Sequence, residues 1–473
     1  MDKTKKKIAG AFLIAIFLAA FEGVVVSTAA PVIVKSLHNF ELLSWIFSLY
    51  LLTSAISTPI YGKLADLYGR KRMLIIGIVI FLFGSTLCGL SQTMHQLVAF
   101  RAVQGLGAGA IMTIVFTMIG DIFTLDERSV VQGGVSTMWG IAGLVGPLLG
   151  GFLIDYLSWH WIFFINIPFG LLCIFILSRY VHEDVQAKKH RIDILGAMLL
   201  SAAIGTFLYA VMNIGENLLL SVNLLITSMI TLMIFYLWEK RVAEPIVPLF
   251  ILNKNSIIVN LITFGSSFIL IANSVYLPLH IQSVMGHSAT AAGIALTTTS
   301  LTWFGTSFFL ARLMHRFPVR FIIMGASAVL FVCCLLLYNL TLESTIWQVA
   351  GYALIFGIGF SATLNTVTFI VQDSVEYENR GAAVGINMLT RTLAQTIGVA
   401  VLGAVINIFA AKYLAMQNLA GITMQDFYDN TYPQYFDILR QGLFFGLEHV
   451  YAIMAAMAVA CFILGYFVPN YKK

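Results

Sequence analysis

The stretch "GKLADLYGRKR", residues 62–72, sets one carboxylate, Asp66, and three basic residues, Arg70, Lys71 and Arg72, between apolar runs at 44–63 and 73–90. Each run is close to the ~20 residues that a helix needs to cross a bilayer core. Gly62 and Gly69 suit a tight turn between two such helices. Working outward, apolar segments recur along the chain: roughly 8–29, 44–63, 73–90, 95–119, 129–154, 162–180, 193–213, 219–238, 256–281, 290–311, 319–338, 346–371, 382–409 and 446–468. Lipid gives backbone groups no water to bond with, so these runs must be helices. The expected fold class is an all-α integral membrane protein with 14 transmembrane helices.

Composition agrees. Of 473 residues, 59% are hydrophobic and 10% charged, against about 25% charged in soluble domains. The first run follows Lys3, Lys5, Lys6 and Lys7. It is too long for a signal peptide and lacks a small-residue cleavage site, so it reads as a retained helix. Cys88, Cys173, Cys333, Cys334 and Cys461 all lie in apolar runs. They show neither metal-ligand spacing nor a disulfide framework and read as small buried hydrophobes. There is no phosphate loop or nucleophile constellation. An enzyme is not expected, nor ATP drive within this chain.

The net charge of +5 raises nucleic-acid binding, but the distribution of charge explains it otherwise. With a cytoplasmic N-terminus, only Lys35, Lys412 and Arg440 fall outside and only Arg101 and Arg391 within spans; the other 22 of 27 basic residues are inside. That is the positive-inside pattern, and it puts both termini in the cytoplasm, with no nucleic-acid partner. Polar stretches at 179–193 and 239–255 divide the spans as 6 + 2 + 6. The expected organisation is an N-terminal six-helix bundle at 1–181, cytoplasmic linkers with a two-helix insert at 182–254, and a C-terminal six-helix bundle at 255–473. A long outside loop is expected at about 410–445. "ARLMHRFPVR" (311–320) follows the second span of the second half, as "GKLADLYGRKR" follows that of the first. Such repeats occur in transporters.

The pattern Gly62, Asp66, Gly69, Arg70 and Arg72 resembles the loop signature of the major facilitator superfamily. That resemblance implies two pseudo-symmetric bundles around a central cavity. It also implies a conformational latch: Asp66 would contact the start of the helix near Gly381 to Gly385 in the other half, where a carboxylate suits the positive helix end. Asp121 would pair with Arg70. "RAVQGLGAG" (101–109) is similar to a second family signature, at Arg101, Gln104, Gly105 and Gly107. "GIAGLVGPLLGG" (140–151) resembles the antiporter helix signature, with Gly146, Pro147, Gly150 and Gly151 in register. "FEGVVVSTAAP" (21–31) resembles the first-helix signature of the fourteen-helix drug:proton antiporters, with Glu22 where aspartate is usual. "SWHWIFFINIP" (158–168) resembles that subfamily too, with His160 where arginine is commoner.

Two of these residues are costly in hydrocarbon. At 1.5 Å per residue, Glu22 and Arg101 each lie roughly 10 Å below the outer surface on antiparallel helices. Neither is tolerable alone there. We expect them to be coupled, to face a central cavity and to form the proton-coupling site, with drug and proton competing for Glu22. Polar and aromatic mid-span residues are candidate substrate contacts: Glu22, Gln104, Trp139, Asn273, Tyr276, Trp303, Asn365 and Gln395. Abundant Phe and Met suit an adaptable apolar pocket. Arg391 has no acidic partner in its own half and is expected to snorkel or to bind carbonyls.

The resemblance implies a proton-coupled antiporter that exports amphipathic, mainly cationic or zwitterionic drugs by alternating access. It would act as a monomer in a bacterial cytoplasmic membrane, with no metal and no cofactor, and with protons as the coupling ion. Two readings stand beside it. One is an exporter of a single metabolite or tetracycline-like compound. The other is a non-transporting membrane sensor or lipid-handling protein. A sensor should carry a soluble domain, which the sequence lacks; a lipid handler should act on lipid analogues rather than dyes.

Overall fold

The computed structural model describes residues 1–181, 193–214, 217–242, 245–247, 253–373, 380–419 and 421–468. All fourteen apolar segments are helical. In chain order the helices are α1 (Lys3–Leu37), α2 (Leu43–Tyr68), α3 (Arg70–Gly89), α4 (Met94–Ile122), α5 (Leu125–Tyr156), the short α6 (Trp161–Phe164) and α7 (Asn166–Tyr180). There follow α8 (Ile194–Met212), α9 (Leu218–Glu239), α10 (Lys254–Leu279), α11 (Ala289–Arg316), α12 (Val319–Tyr338), α13 (Ile346–Asp373), α14 (Arg380–Met416), α15 (Met424–Asp429) and α16 (Phe436–Tyr466). A π-helical turn, His280–Val284, continues α10.

Twelve helices among the described residues are long and apolar enough to cross a membrane. Of the fourteen spans expected, these twelve meet that length and composition. The apolar part of α8, Leu195–Val211, is shorter. Helix α11 has the length, but its run of Thr and Ser (Thr297–Ser300, Thr302, Thr306, Ser307) makes it less apolar.

Local chemistry sets the helix ends. Thr93 caps α4 by accepting from Gln96 N–H at 3.2 Å, and Thr124 and Glu127 form a capping box at α5. Gly69 breaks α2 from α3 at φ +95°, a conformation that favours glycine. Gly62 is not a turn residue: it lies inside α2 and faces Thr113 of α4. The 410–445 segment is less of a loop than expected. Helix α14 runs on to Met416, α16 begins at Phe436, and α15 lies between them. Helix α15 clasps the α1–α2 turn: Gln425 Oε1 accepts from Phe40 N–H at 2.5 Å, Tyr428 stacks on Phe40, and Asp429 pairs with His38.

The packing repeats itself. Helix α4 packs on α2 and α3, and α13 packs likewise on α11 and α12. Helix α1 packs on α4, α5 and α7, and α10 likewise on α13, α14 and α16. Between the two sets, α5 lies against α11 and α14 against α2, each pair the image of the other. The repeat reaches single residues. A Cβ at Gly105 would lie 2.3 Å from Tyr50 O, and one at Gly357 would lie 2.2 Å from Thr299 O. The G-x-G of α4 therefore has a partner at Gly357 and Gly359, where small residues let helices approach closely. Helices α8 and α9 pack on one another, and α8 also lies against both α2 and α14. There Leu200, Ile204 and Leu208 meet Leu52 and Ala400.

Candidate functional site

Glu22 sits midway along α1 and Arg101 in the second turn of α4. The two form an ion pair, with Glu22 0% and Arg101 1% exposed. Arg101 makes several contacts at once. One Nη donates to Glu22 and to Gln104 Oε1 (2.7 Å), Nε donates to Ile46 O (3.1 Å), and the guanidinium lies 4.0 Å over the Tyr50 ring. The second oxygen of Glu22 accepts from Asn166 Nδ2 at 2.7 Å, and the same amide donates to Ser85 Oγ at 3.0 Å. Ser85 in turn donates to Phe163 O at 2.8 Å. Two atoms of this buried cluster lack a partner, Gln104 Nε2 and Asn166 Oδ1.

The structure thus joins the two charges that depth alone suggested belong together. It does not place them on a central cavity. Their partners all come from α2, α3, α4 and α7, which enclose the pair inside the first six helices. Asn166 was missed, although it lies within "SWHWIFFINIP"; a lone amide in an apolar run was the available signal.

At the face carrying the termini, Arg70 bridges two acids. One Nη pairs with Asp66 at 3.2 Å and the other with Asp121. Arg72 is exposed on the first turn of α3. The contact expected between Asp66 and the start of α14 falls partly outside the described residues, since 374–379 and the side chains of 380–382 are not described. A Cβ at Gly385 would meet open space.

The glycines of the antiporter signature serve two neighbours. Gly146 and Gly150 face Val24 and Val25 of α1. Gly151 and the Pro147 carbonyl face α11: a Cβ at Gly151 would lie 2.6 Å from Ala289 O, and one at Gly293 would lie 2.2 Å from Pro147 O. One turn beyond Gly151, Asp155 accepts from the first N–H groups of α11, Ala289 (3.3 Å) and Thr290 (2.8 Å), and from Thr290 Oγ1 (2.5 Å). Other hydrogen bonds between the two sets of helices are Gln282 to Thr28 O (2.8 Å), Ser44 to Tyr276 OH (3.3 Å), Ser48 to Thr396 O (3.2 Å) and Thr297 to Leu144 O (3.1 Å). Among the described residues these bonds lie in the half of the molecule away from the termini.

The candidate substrate contacts do not converge on one pocket. Gln104 belongs to the ion-pair cluster. Asn273 and Tyr276 are enclosed on α10, and the Tyr276 hydroxyl donates to Val399 O at 2.6 Å, so Tyr276 is a packed seam residue rather than an open wall. Trp303 and Asn365 are brought together: Asn365 Nδ2 donates to Ser307 (3.0 Å) and Ser361 (3.2 Å), and Ser361 donates to Trp303 O (2.9 Å). Trp139 is exposed on α5; Gln395 and Arg391 are half-buried on α14.

Comparison with known proteins agrees with this architecture. The family model described as Major Facilitator Superfamily matches residues 12–399. Multidrug resistance protein 3 of Bacillus subtilis (strain 168) is 33% identical over 409 residues, covering 85% of this chain and 79% of that protein. Multidrug efflux pump SdrM of Staphylococcus aureus (strain N315) is 27% identical over 396 residues, covering 83% and 88%. Among solved structures, a bacterial homologue of the human lysosomal transporter Spinster, inward-facing and unoccupied, superposes with a TM-score of 0.72 at 14% identity, covering 99% of this chain and 97% of that one. The chain belongs to the major facilitator superfamily and is a multi-pass membrane transporter, not an enzyme.

Proposed function

We propose that this transporter is a proton-coupled antiporter exporting amphipathic, mainly cationic or zwitterionic drugs. The observation that carries the reading is the enclosed Glu22–Arg101 pair, which is hydrogen-bonded to α2, α4 and α7. An ionisable pair this deep in a membrane protein is costly and marks ion or substrate pathways. The names of the relatives supply the efflux part of the reading and the drug-like substrates.

In this mechanism residues 1–181 and 255–473 rock as two bundles about a cavity between them, carrying the insert at 182–254, with both termini in the cytoplasm. The chain works as a monomer in a bacterial cytoplasmic membrane. The bonds between the two helix sets gather away from the termini, which suits a state open to the cytoplasm. An ionised Glu22 held by Arg101 suits the same state, since its proton has already gone inward. Glu22 is enclosed in this arrangement, so a cationic drug entering from the cytoplasm competes with the proton for it only once the helices around the cluster part. After opening to the other face, the drug leaves and Glu22 takes a proton. One proton in for one monovalent cation out is electroneutral. A neutral drug would also draw on voltage, at about 2.3 kcal/mol per charge per 100 mV.

The test is transport of ethidium with simultaneous pH recording in proteoliposomes. An imposed proton gradient should drive dye accumulation by the native chain, and Glu22→Gln should bind dye without accumulating it. Unchanged, pH-dependent transport by Glu22→Gln would make the pair purely structural. If the native chain moves neither dye nor protons, export of a single metabolite becomes the better reading.

A further inference from the structure

The ion-pair cluster holds two amides whose orientation is informative. Asn166 turns its Nδ2 to Glu22 and Ser85, leaving Oδ1 without a partner. Gln104 turns its Oε1 to Arg101, leaving Nε2 without a partner. An N–H aimed at a carboxylate oxygen suits the ionised form and suits the protonated form poorly, because an O–H on that oxygen needs an acceptor. Rotating the Asn166 amide would offer that acceptor, but would turn Nδ2 to the place where Oδ1 now finds no partner. A buried unsatisfied donor is costly. The cluster therefore fits one protonation state, and the other leaves α7 with a mismatched amide.

Resting on the proton-coupling reading of Glu22, we propose that Asn166 is the positioning residue through which α7 senses the protonation of Glu22. When Glu22 takes up a proton, its link to Arg101 weakens. The guanidinium keeps Gln104, Ile46 O and the Tyr50 ring. The Asn166 amide loses its anionic acceptor and, with the proton on the oxygen it faces, has to rotate or withdraw with α7. Proton uptake thereby weakens the amide bond that ties α7 to α1 through Glu22, while the bond to Ser85 ties α7 to α3. The ionisable and charged groups facing Glu22 are Arg101 from α4, Tyr50 from α2 and Cys88 from α3. The other elements packed on α1, namely α5, α6, α10, α11 and α15, bring no charged side chain into contact with Glu22 among the described residues.

The experiment is infrared titration of the full chain in proteoliposomes. The carboxyl band of protonated Glu22 is assigned by its loss in Glu22→Gln. Asn166→Leu removes the donor to the ionised form and should move the midpoint of that band upward by about one pH unit. Ser85→Ala, which frees the amide without removing it, should move it in the same direction by less and guards against misfolding of the first variant. The pH midpoint of ethidium transport should follow both shifts. Midpoints unchanged in both variants would overturn the proposal, as would a native Glu22 band that never titrates. If the band shifts but transport ignores pH, the amide assignment stands and the coupling role of Glu22 fails.

Discussion

At the scale of the residue, Arg101 is held by geometry that lysine cannot copy. Its fork reaches Glu22, Gln104 and the Ile46 carbonyl while its plane covers Tyr50. Arg101→Ala leaves a buried carboxylate unpaired and should destabilise the protein by about 3–5 kcal/mol. Adding Glu22→Gln should recover much of that loss, and thermal unfolding of the single and double variants in detergent measures the coupling. At the membrane face Glu127 makes a different pH-dependent contact. The Lys5 hydrogen bond, with the Thr124 N–H, draws its carboxyl from the ordinary 4.5 down to about 2. A depressed carboxylate holds its contact above the ordinary value and loses it as pH falls through the lowered one. A spin label at Thr4 should therefore gain mobility between about pH 4.5 and 2, and should be mobile throughout in Glu127→Gln. Glu22 and Arg101 were legible in the sequence because a charge inside an apolar run has few innocent explanations. Asn166 was not, because an uncharged amide in such a run has many.

At the scale of the element, the antiporter signature reads as a seam. Sequence similarity marked Gly146, Pro147, Gly150 and Gly151, but spacing alone could not say which helix each one meets. The structure divides them between α1 and α11. Gly151 has backbone within 2.6 Å of where a Cβ would sit, and backbone cannot swing aside as a side-chain tip can. Gly151→Val should hold α5 away from α11. Alkylation of a cysteine placed at Thr297, in the seam, should then become several-fold faster than in the native background. A rate equal to the native one would mean that the helices part elsewhere. Helix α11 differs from the twelve more apolar helices for a related reason. Helix α11 spends its middle on Thr and Ser, whose hydroxyls bond back to α11 carbonyls and across to α5 and α13. A hydropathy pattern scores these as polar and cannot see their partners. The repeated G-x-G at Gly357 was overlooked because its α13 neighbourhood lacks the charged Arg101 that drew the eye to α4.

At the scale of the molecule, closure away from the termini rests on two symmetric seams, α5 with α11 and α2 with α14. The first ends in a carboxylate on a helix N-terminus, Asp155 on α11, where the free N–H groups and the helix dipole both favour negative charge. The latch that the sequence led us to expect at the other face, Asp66 on the start of α14, would use the same physics. Asp155→Asn keeps the size and one acceptor but removes the charge. Hydrogen bonds to a charged acceptor exceed neutral ones by about 1–1.5 kcal/mol, so the population open away from the termini should rise by roughly five- to tenfold. Spin labels at Leu157 and Thr341, both exposed and on opposite sets of helices, would read this as a second, longer distance that the native chain barely populates. Asp155→Glu, which keeps the charge, should restore the single short distance. Should Asp155→Asn leave the distribution as it was, closure would rest on the glycine seam alone, and Gly151→Val should open the molecule without any contribution from Asp155.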